Sequence, residues 1–236
     1  MPQVSVLVLA AGKGLRLKSK VSKPLIRCGG SPVLIYSLKV FARYPRVREI
    51  VVAVNKGNAE GIRKLIRIYR IKKIAALVLG GKERQDSVGN CLKALDKRDG
   101  LVLIHDAARP FIDEGIISRV IAAAEKSGAA VPGMPVKNTI KEVYLIPKHN
   151  TLSVKRTIKR DNLWEIQTPQ AFRHDLIRKA YARFADLAVT DEAMLIERMG
   201  KKVTVVEGGA YNIKITTPQD LIIAQSLCRR FERQPI

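Results

Sequence analysis

Apolar residues fall along this chain in two rhythms. Nearly unbroken apolar runs, rich in β-branched residues, recur at Val4-Ser5-Val6-Leu7-Val8-Leu9, Ile50-Val51-Val52-Ala53-Val54, Ala75-Ala76-Leu77-Val78-Leu79, Leu101-Val102-Leu103-Ile104 and Ala129-Ala130-Val131. A strand with one wet face would alternate polar and apolar residues, so these runs predict strands covered on both faces. Between them the apolar positions take helical spacing. Ile62, Leu65, Ile66 and Tyr69 share one face, while Arg63, Lys64, Arg67 and Arg70 fill the other. A second helix is predicted from Asp113, an N-cap residue, through Ile116, Ile117, Val120, Ile121 and Ala124 to Gly128, a C-terminal stop. Strands alternating with helices of this size predict βαβ units and an α/β fold built on a doubly wound, mostly parallel sheet. Ligands of such sheets sit at the carboxyl ends of the strands.

The alternation breaks after about Pro135. Thr139 to Leu145 and Leu152 to Ile158 flank the turn-like Pro147-Lys148-His149-Asn150, which predicts a two-stranded arm over 136–160. A lone hairpin is marginal in water, and a second copy of the chain is the natural surface for it to pack on. Helical patterning returns at Arg173 to Phe184 and at Glu192 to Met199; Val203 to Val206 reads as a strand and Pro218 to Phe231 as a last helix. No internal repeat or linker divides the chain, so residues 1–236 are expected to form one domain.

Composition narrows the setting. No run approaches the roughly 18 apolar residues of a membrane span, and the start lacks the basic and apolar segments of a signal peptide, so a cytoplasmic protein is expected. Cys28, Cys91 and Cys228 show no paired spacing and read as small buried hydrophobes. Lys+Arg 43 against Asp+Glu 21 gives a net charge of +22, which attracts polyanions and phosphorylated metabolites and says nothing of the fold.

The candidate chemistry lies where strands end. The first strand runs into Ala10-Ala11-Gly12-Lys13-Gly14-Leu15-Arg16, either a tight turn with solvated basic residues or an anion cradle with Lys13, Arg16 and Lys23 around it. It matches neither the dinucleotide fingerprint nor a P-loop. Gly80-Gly81-Lys82-Glu83-Arg84-Gln85-Asp86-Ser87-Val88 again follows a strand and opens a helix; alone it reads as a turn with an exposed charged first turn. His105-Asp106-Ala107-Ala108-Arg109-Pro110 puts a carboxylate at the end of a buried strand, where a metal-phosphate complex would sit, with Arg109 able to grip a second anion. His105 reads as a satisfied strand-end residue and not a base. Lys214, inside Asn212-Ile213-Lys214-Ile215-Thr216, is a charge in an apolar stretch that a phosphate would partner. Thr168-Pro169-Gln170 reads as a turn, and Thr190-Asp191-Glu192 as a helix N-cap with acids in its first turn.

In their order and spacing these segments resemble the 2-C-methyl-D-erythritol 4-phosphate cytidylyltransferases of the non-mevalonate isoprenoid pathway, over essentially the whole chain. The resemblance implies a nucleotidyltransferase fold and a reaction in which the acceptor's phosphate attacks the α-phosphorus of CTP in line, with Mg2+, and pyrophosphate leaves. It assigns Ala10, Ala11, Gly12, Gly14, Gly81, Ser87 and Asp106 to the nucleotide, and Arg16, Lys23 and Lys214 to the triphosphate and the reacting phosphorus. Asp106, Arg109, Thr168 and Lys214 would face the metal and the methylerythritol phosphate, Asp106 being the metal ligand. Thr139 and Arg160 would arrive from the partner's arm in a homodimer. Two positions depart from the family pattern: Pro24 follows Lys23 directly, and Lys82 stands where an Asp is common. The chain leaves no room for the synthase domain fused to some relatives, so a single activity is expected.

Two other readings share parts of this pattern. Ribitol-5-phosphate cytidylyltransferases carry most of these motifs and differ in the acceptor. A basic nucleic-acid-binding protein would account for the +22 charge and the basic run from Arg63 to Lys73, but aromatics are only 5% and do not interleave with that run, so a stacking platform is missing.

Overall fold

The structure is a computed structural model that describes residues 3–12, 14, 17, 21–95, 100–184 and 187–233. Its strands are β1 (Val4–Leu9), β2 (Arg27–Cys28), β3 (Ser31–Pro32), β4 (Val47–Val54), β5 (Ile74–Leu79), β6 (Leu101–Asp106), β7 (Ala129–Pro135), β8 (Ile140–Ile146), β9 (Thr151–Ile158), β10 (Trp164–Ile166), β11 (Gln170–Arg173) and β12 (Thr204–Glu207). The helices are α1 (Val33–Arg43), α2 (Ala59–Ile68), α3 (Arg84–Ala94), α4 (Glu114–Ser127), α5 (His174–Arg183), α6 (Ala193–Arg198) and α7 (Pro218–Arg233). One sheet takes the order β10-β7-β11-β6-β1-β4-β5, with β12 also paired to β7. Strands β5, β4, β1 and β6 run parallel, as the unbroken apolar runs predict.

Both faces of β1, β4 and β6 are dry, which is why these strands do not alternate, whereas the edge strand β5 is only half-buried, with Leu79 51% exposed. Val4, Val6 and Val8 of β1 pack with Leu38, Phe41, Ile62, Ile116 and Val120 from α1, α2 and α4. Leu7, one pleat over, packs with Val88, Cys91, Ile177 and Leu195 from α3, α5 and α6 on the opposite face. The α4 boundaries follow the chemistry read from sequence: the Asp113 carboxylate accepts the Ile116 N–H at 2.7 Å, and Gly128 ends the helix in the left-handed region at φ 87°. Arg63, Lys64 and Arg67 stand exposed on the outer face of α2. No helix among the described residues is long and apolar enough to cross a membrane.

Two features depart from the sequence reading. The sheet is not parallel throughout: β11 inserts antiparallel between β6 and β7, and β10 pairs antiparallel with the far end of β7. At four and three residues these strands are too short to show a period, and their pairing comes from position in the fold. Thr168-Pro169-Gln170 is therefore not only a turn, since Gln170 opens β11; the Thr168-Pro169 bond is cis.

β8 and β9 form a separate two-stranded sheet, paired Val143↔Val154 and Leu145↔Leu152. These four apolar side chains fall on one face of the hairpin and all are exposed, Leu152 at 69%. All three cysteines are buried thiols. Cys28 and Cys228 meet with sulfurs 2.7 Å apart in a small core with Val33, Tyr36, Phe111 and Ile215 that seats α7.

Candidate active site

The register of the parallel strands gathers their carboxyl ends. Leu9 lies opposite both Ala53 and Asp106, and Val54 opposite Leu79, so the segments after β1, β5 and β6 share one sheet edge. The first loop is held there through its backbone. Ala10 N–H donates to the Ala53 carbonyl at 2.9 Å, while Asn58 and Asn55 side-chain amides donate to the Ala10 and Ala11 carbonyls at 2.8 and 2.9 Å. Gly80 docks against this loop, where a Cβ would stand 2.5 Å from the Ala11 Cβ and 2.6 Å from the Ser87 Oγ. Gly81 donates its N–H to Ser87 Oγ at 3.2 Å, and the Ser87 hydroxyl donates to the Glu83 carbonyl at 3.2 Å. Ala10, Ala11, Gly81 and Ser87 are thus joined in one wall, with Gly12 beside it, open on the side where a Cβ would point.

Asp106 closes the other side of this edge. Its carboxylate accepts from Lys214 Nζ at 2.7 Å and from Arg84 Nε at 3.3 Å. Burial alone would raise its pKa, but Arg84, Lys214 and Arg109 outweigh burial and hold the carboxyl well below the usual carboxylate range. Lys214 reaches it because its neighbours are anchored: Ile215 is buried and donates its N–H to the Ala108 carbonyl at 2.8 Å. Arg109 donates to the Asn212 carbonyl at 2.6 Å, which ties the same two loops again. Asn212 is held in turn by its amide on the Thr168 carbonyl at 2.9 Å and on Gln167 Oε1 at 3.2 Å. Arg109 Nε and Asn212 Oδ1 are buried without a hydrogen-bond partner among the described residues, donor and acceptor capacity that a polar ligand would meet.

Sequence reasoning missed the second layer of this site. Arg84, read as part of an exposed helix start, spans Asp106 and the carboxylate of Glu192, which it binds through Nη1 at 2.6 and 2.7 Å. Glu192, read as a first-turn acid beside an N-cap, is fully buried and also accepts from the Tyr181 hydroxyl at 3.2 Å. The capping work at α6 falls to Asp191, which accepts the Met194 N–H at 3.2 Å. Burial pushes the Glu192 carboxyl upward against the pull of Arg84; burial likewise opposes the Arg84 charge, but Glu192 and Asp106 outweigh it and keep the guanidinium charged. The spacing Glu83-Arg84-x-Asp86 offered a signal for α3, whose start is a reciprocal cap between Glu83 and Asp86. Nothing in the local sequence marks Asn55, Asn58 or Gln167.

Lys23 opens a 3-10 turn, Lys23–Leu25, and a Cβ on Gly14 at φ +64° would come 3.4 Å from the Lys23 Cβ. Pro24 lies in the first positions of that turn, where no N–H donor is needed, so the departure at Pro24 is accommodated. Lys13 and Arg16 lie outside the described residues. His105, as expected, is a satisfied strand-end residue: it is fully buried, its Nε2 is 3.0 Å from the Arg109 carbonyl and its Nδ1 3.1 Å from Thr168 Oγ1. Burial pulls its pKa down to about 4, so the ring is neutral. The structure thus joins Asp106, Arg109, Thr168 and Lys214, whereas Thr139 and Arg160 stand exposed at the base of the β8–β9 hairpin. Arg160 there donates to the Lys137 carbonyl.

The geometry agrees with what the chain resembles. Residues 4–230 match the model of the 2-C-methyl-D-erythritol 4-phosphate cytidylyltransferase family, IspD. The enzyme of that name from Geobacillus kaustophilus is 44% identical, across 94% of this chain and 95% of its own, and that from Alkaliphilus oremlandii is 42% identical, across 96% and 95%. The solved 4-diphosphocytidyl-2C-methyl-D-erythritol synthase of Anaerococcus prevotii superposes with a TM-score of 0.82 at 34% identity, covering 97% of each chain. A family match over nearly the whole chain and identities above 40% across its length show that the chain belongs to the 2-C-methyl-D-erythritol 4-phosphate cytidylyltransferase family.

Proposed function

We propose that the chain transfers CMP from CTP to 2-C-methyl-D-erythritol 4-phosphate within a single nucleotidyltransferase domain. A phosphate oxygen of the acceptor attacks the α-phosphorus of CTP in line; the new P–O bond gives the cytidine diphosphate ester, and the bond to pyrophosphate breaks. The observation that carries this reading is the Asp106 carboxylate held between Lys214 and Arg84 on the same sheet edge as the Ala10 to Gly12 loop. The attacking phosphate is already an anion at neutral pH, so no general base is required. Both nitrogens of His105, the histidine next to the site, are already engaged, which supports a mechanism of positioning and charge stabilisation.

In this reading Ala10, Ala11, Gly12, Gly14, Gly81 and Ser87 line the nucleotide, and Arg16, Lys23 and Lys214 surround the triphosphate. Asp106, Arg109 and Thr168 face the acceptor. No group of three His, Cys, Asp or Glu residues able to cage an ion occurs among the described residues. A single carboxylate, Asp106, stands at the strand end and fits Mg2+, which is commonly held by one or two carboxylates with waters and substrate phosphates; Asp106 would be the protein ligand. Each Asp106 oxygen keeps a second lone pair beside its bond to Lys214 or Arg84. Bound there, the ion would offset charge growing on the phosphoryl oxygens. Pyrophosphate release measured with each NTP against methylerythritol phosphate and ribitol 5-phosphate tests the assignment. Release with CTP and the methylerythritol ester is expected, and a large preference for the ribitol ester would overturn the acceptor.

Residues 136–160 are proposed as a dimerisation arm that carries Thr139 and Arg160 into the partner's site. Four exposed apolar side chains on one face of a marginal two-stranded sheet support this. Light scattering is expected to give twice the 26.2 kDa chain mass. Replacing both Leu145 and Leu152 with glutamate is expected to give an inactive monomer, and a fully active monomer would sink the cross-subunit role.

A further inference from the structure

The last helix, α7, rests on a small core of its own. Of its side chains over 218–228 only Ala224 and Cys228 are fully buried, while Ile222 and Ile223 stand 65% and 53% exposed. Leu221 and Leu227 are half-buried against the cluster that holds Val33, Tyr36, Phe111 and Ile215. With two small side chains buried and two half-buried, little apolar area is removed from water and packing alone holds α7 weakly. Its first turn is fastened by polar bonds instead. The Asp220 carboxylate accepts from the Thr216 N–H and hydroxyl at 2.8 and 2.6 Å and from the Thr217 N–H at 2.8 Å, which joins the helix to the segment that carries Lys214. Further along α7, the residue that meets Cys228 is Cys28, and the two sulfurs are in direct contact. Cys28 ends β2, just after the Lys23–Leu25 turn, and its carbonyl accepts from the Tyr36 hydroxyl at 2.6 Å. The backbones are neighbours as well, with Cα atoms of β2 and α7 within 8 Å of each other.

We infer that Cys28 and Cys228 form a redox site, a dithiol that closes to a disulfide by exchange with a small-molecule disulfide and so staples α7 to β2. One thiolate attacks the reagent RSSR, giving a mixed disulfide and RS−; the second thiolate attacks the protein sulfur of that mixed disulfide and expels the other RS−. The two thiol protons leave with the RS− groups as RSH, so two protein thiols are oxidised and one RSSR is reduced to two RSH. The second step is prepared in advance, because the sulfurs already touch although the residues stand 200 positions apart. Long loops are where a cross-link restricts the unfolded chain most. Both sulfurs are sealed, so the reagent reaches them when α7 lifts locally, which its thin seat permits. Cys91 is the internal control. It packs in a different cluster, with Leu7, Val88 and Ile177, and burial pushes its thiol up to about 12, so little thiolate forms there.

The test incubates the wild type with oxidised glutathione, quenches it in denaturant with iodoacetamide and weighs it intact. Before oxidation all three cysteines take the label. Afterwards Cys91 alone is expected to take it, and digestion should yield a peptide linked through Cys28 and Cys228. The melting temperature is expected to rise by roughly 5–15 °C, the span for one disulfide in a chain of this size, and to fall back with dithiothreitol. Thermal inactivation of CTP turnover should slow in parallel, since fastening α7 steadies the Lys214 segment, while the rate at room temperature stays the same. Cys28→Ala and Cys228→Ala should each keep that rate and lose the glutathione-dependent rise. Refolding from urea in the same buffer exposes the sulfurs whatever the rate at which α7 lifts. Three labelled cysteines after refolding, or glutathione left attached at Cys28 or Cys228, would overturn the inference; a bond that forms without moving the melting temperature would overturn the staple. Reduced and oxidised wild type decide the matter even where an alanine variant does not fold. Mass and melting temperature make no reference to the reaction, so a failure here is distinct from a failure of the proposed function.

Discussion

Lys23→Ala is expected to lower turnover roughly 10²–10³-fold, about 2.7–4 kcal/mol of barrier, the usual cost of removing one preorganised charge contact from a transition state. The side chain sits on a short 3-10 turn, and the left-handed Gly14 lies close over its Cβ and Cε. The turn itself is closed by backbone bonds from Leu25 N–H to the Ser22 carbonyl at 2.8 Å and from Ile26 N–H to the Lys23 carbonyl at 3.1 Å, neither of which needs the ammonium. The fold should therefore survive, with a melting temperature close to that of the wild type. If the charge acts on the leaving pyrophosphate, kcat and kcat/KM fall together while the KM of CTP changes little. Lys23→Arg should recover only part of the rate, because a planar guanidinium does not replace a compact ammonium at one phosphoryl oxygen. Near-normal turnover of the alanine variant would remove Lys23 from the catalytic set.

How far the sequence discloses the molecule depends on the range of each interaction. Strands β1, β4 and β6 announce themselves because burial on both faces makes their runs continuous, and α4 because Asp113 and Gly128 carry the chemistry of its two ends in single residues. β11 hides because its four residues take their partners from β6 and β7, far away in the chain. The site divides in the same way. Asp106 and Lys214 are visible as charges set in apolar stretches, and both belong to the cluster. Asn55 and Asn58 leave no such mark, since what they hold, the Ala10 and Ala11 carbonyls, lies 48 and 44 residues away. Glu192 is the sharpest case. Beside Thr190 and Asp191 at a helix start it has every local sign of a solvated first-turn acid, and only the arrival of Arg84, 108 residues earlier, makes it a buried ion.

That burial has a measurable consequence. Glu192→Ala is expected to reduce the free energy of unfolding by about 3 kcal/mol, at the low end of the roughly 3–5 kcal/mol typical for one half of a buried pair, because Arg84 keeps some contact with water. The Arg84 side chain is 29% exposed and retains Asp106 at 3.3 Å, so the cation left behind is only partly stranded. The Tyr181 hydroxyl loses its acceptor at the same time. Tyr181→Phe, which removes one neutral donor and leaves the ion pair intact, should cost closer to 1 kcal/mol. The double change Arg84→Met with Glu192→Ala should recover stability relative to Glu192→Ala alone, since apolar groups in place of an ion pair are often neutral or better. It should not recover activity, because Asp106 then keeps Lys214 as its one remaining ion-pair partner among the described residues. Urea midpoints and steady-state rates on the same four proteins separate these effects. A Glu192→Ala midpoint near that of the wild type would mean that Arg84 turns to solvent at little cost, and that the pair shapes the Asp106 environment without holding the fold.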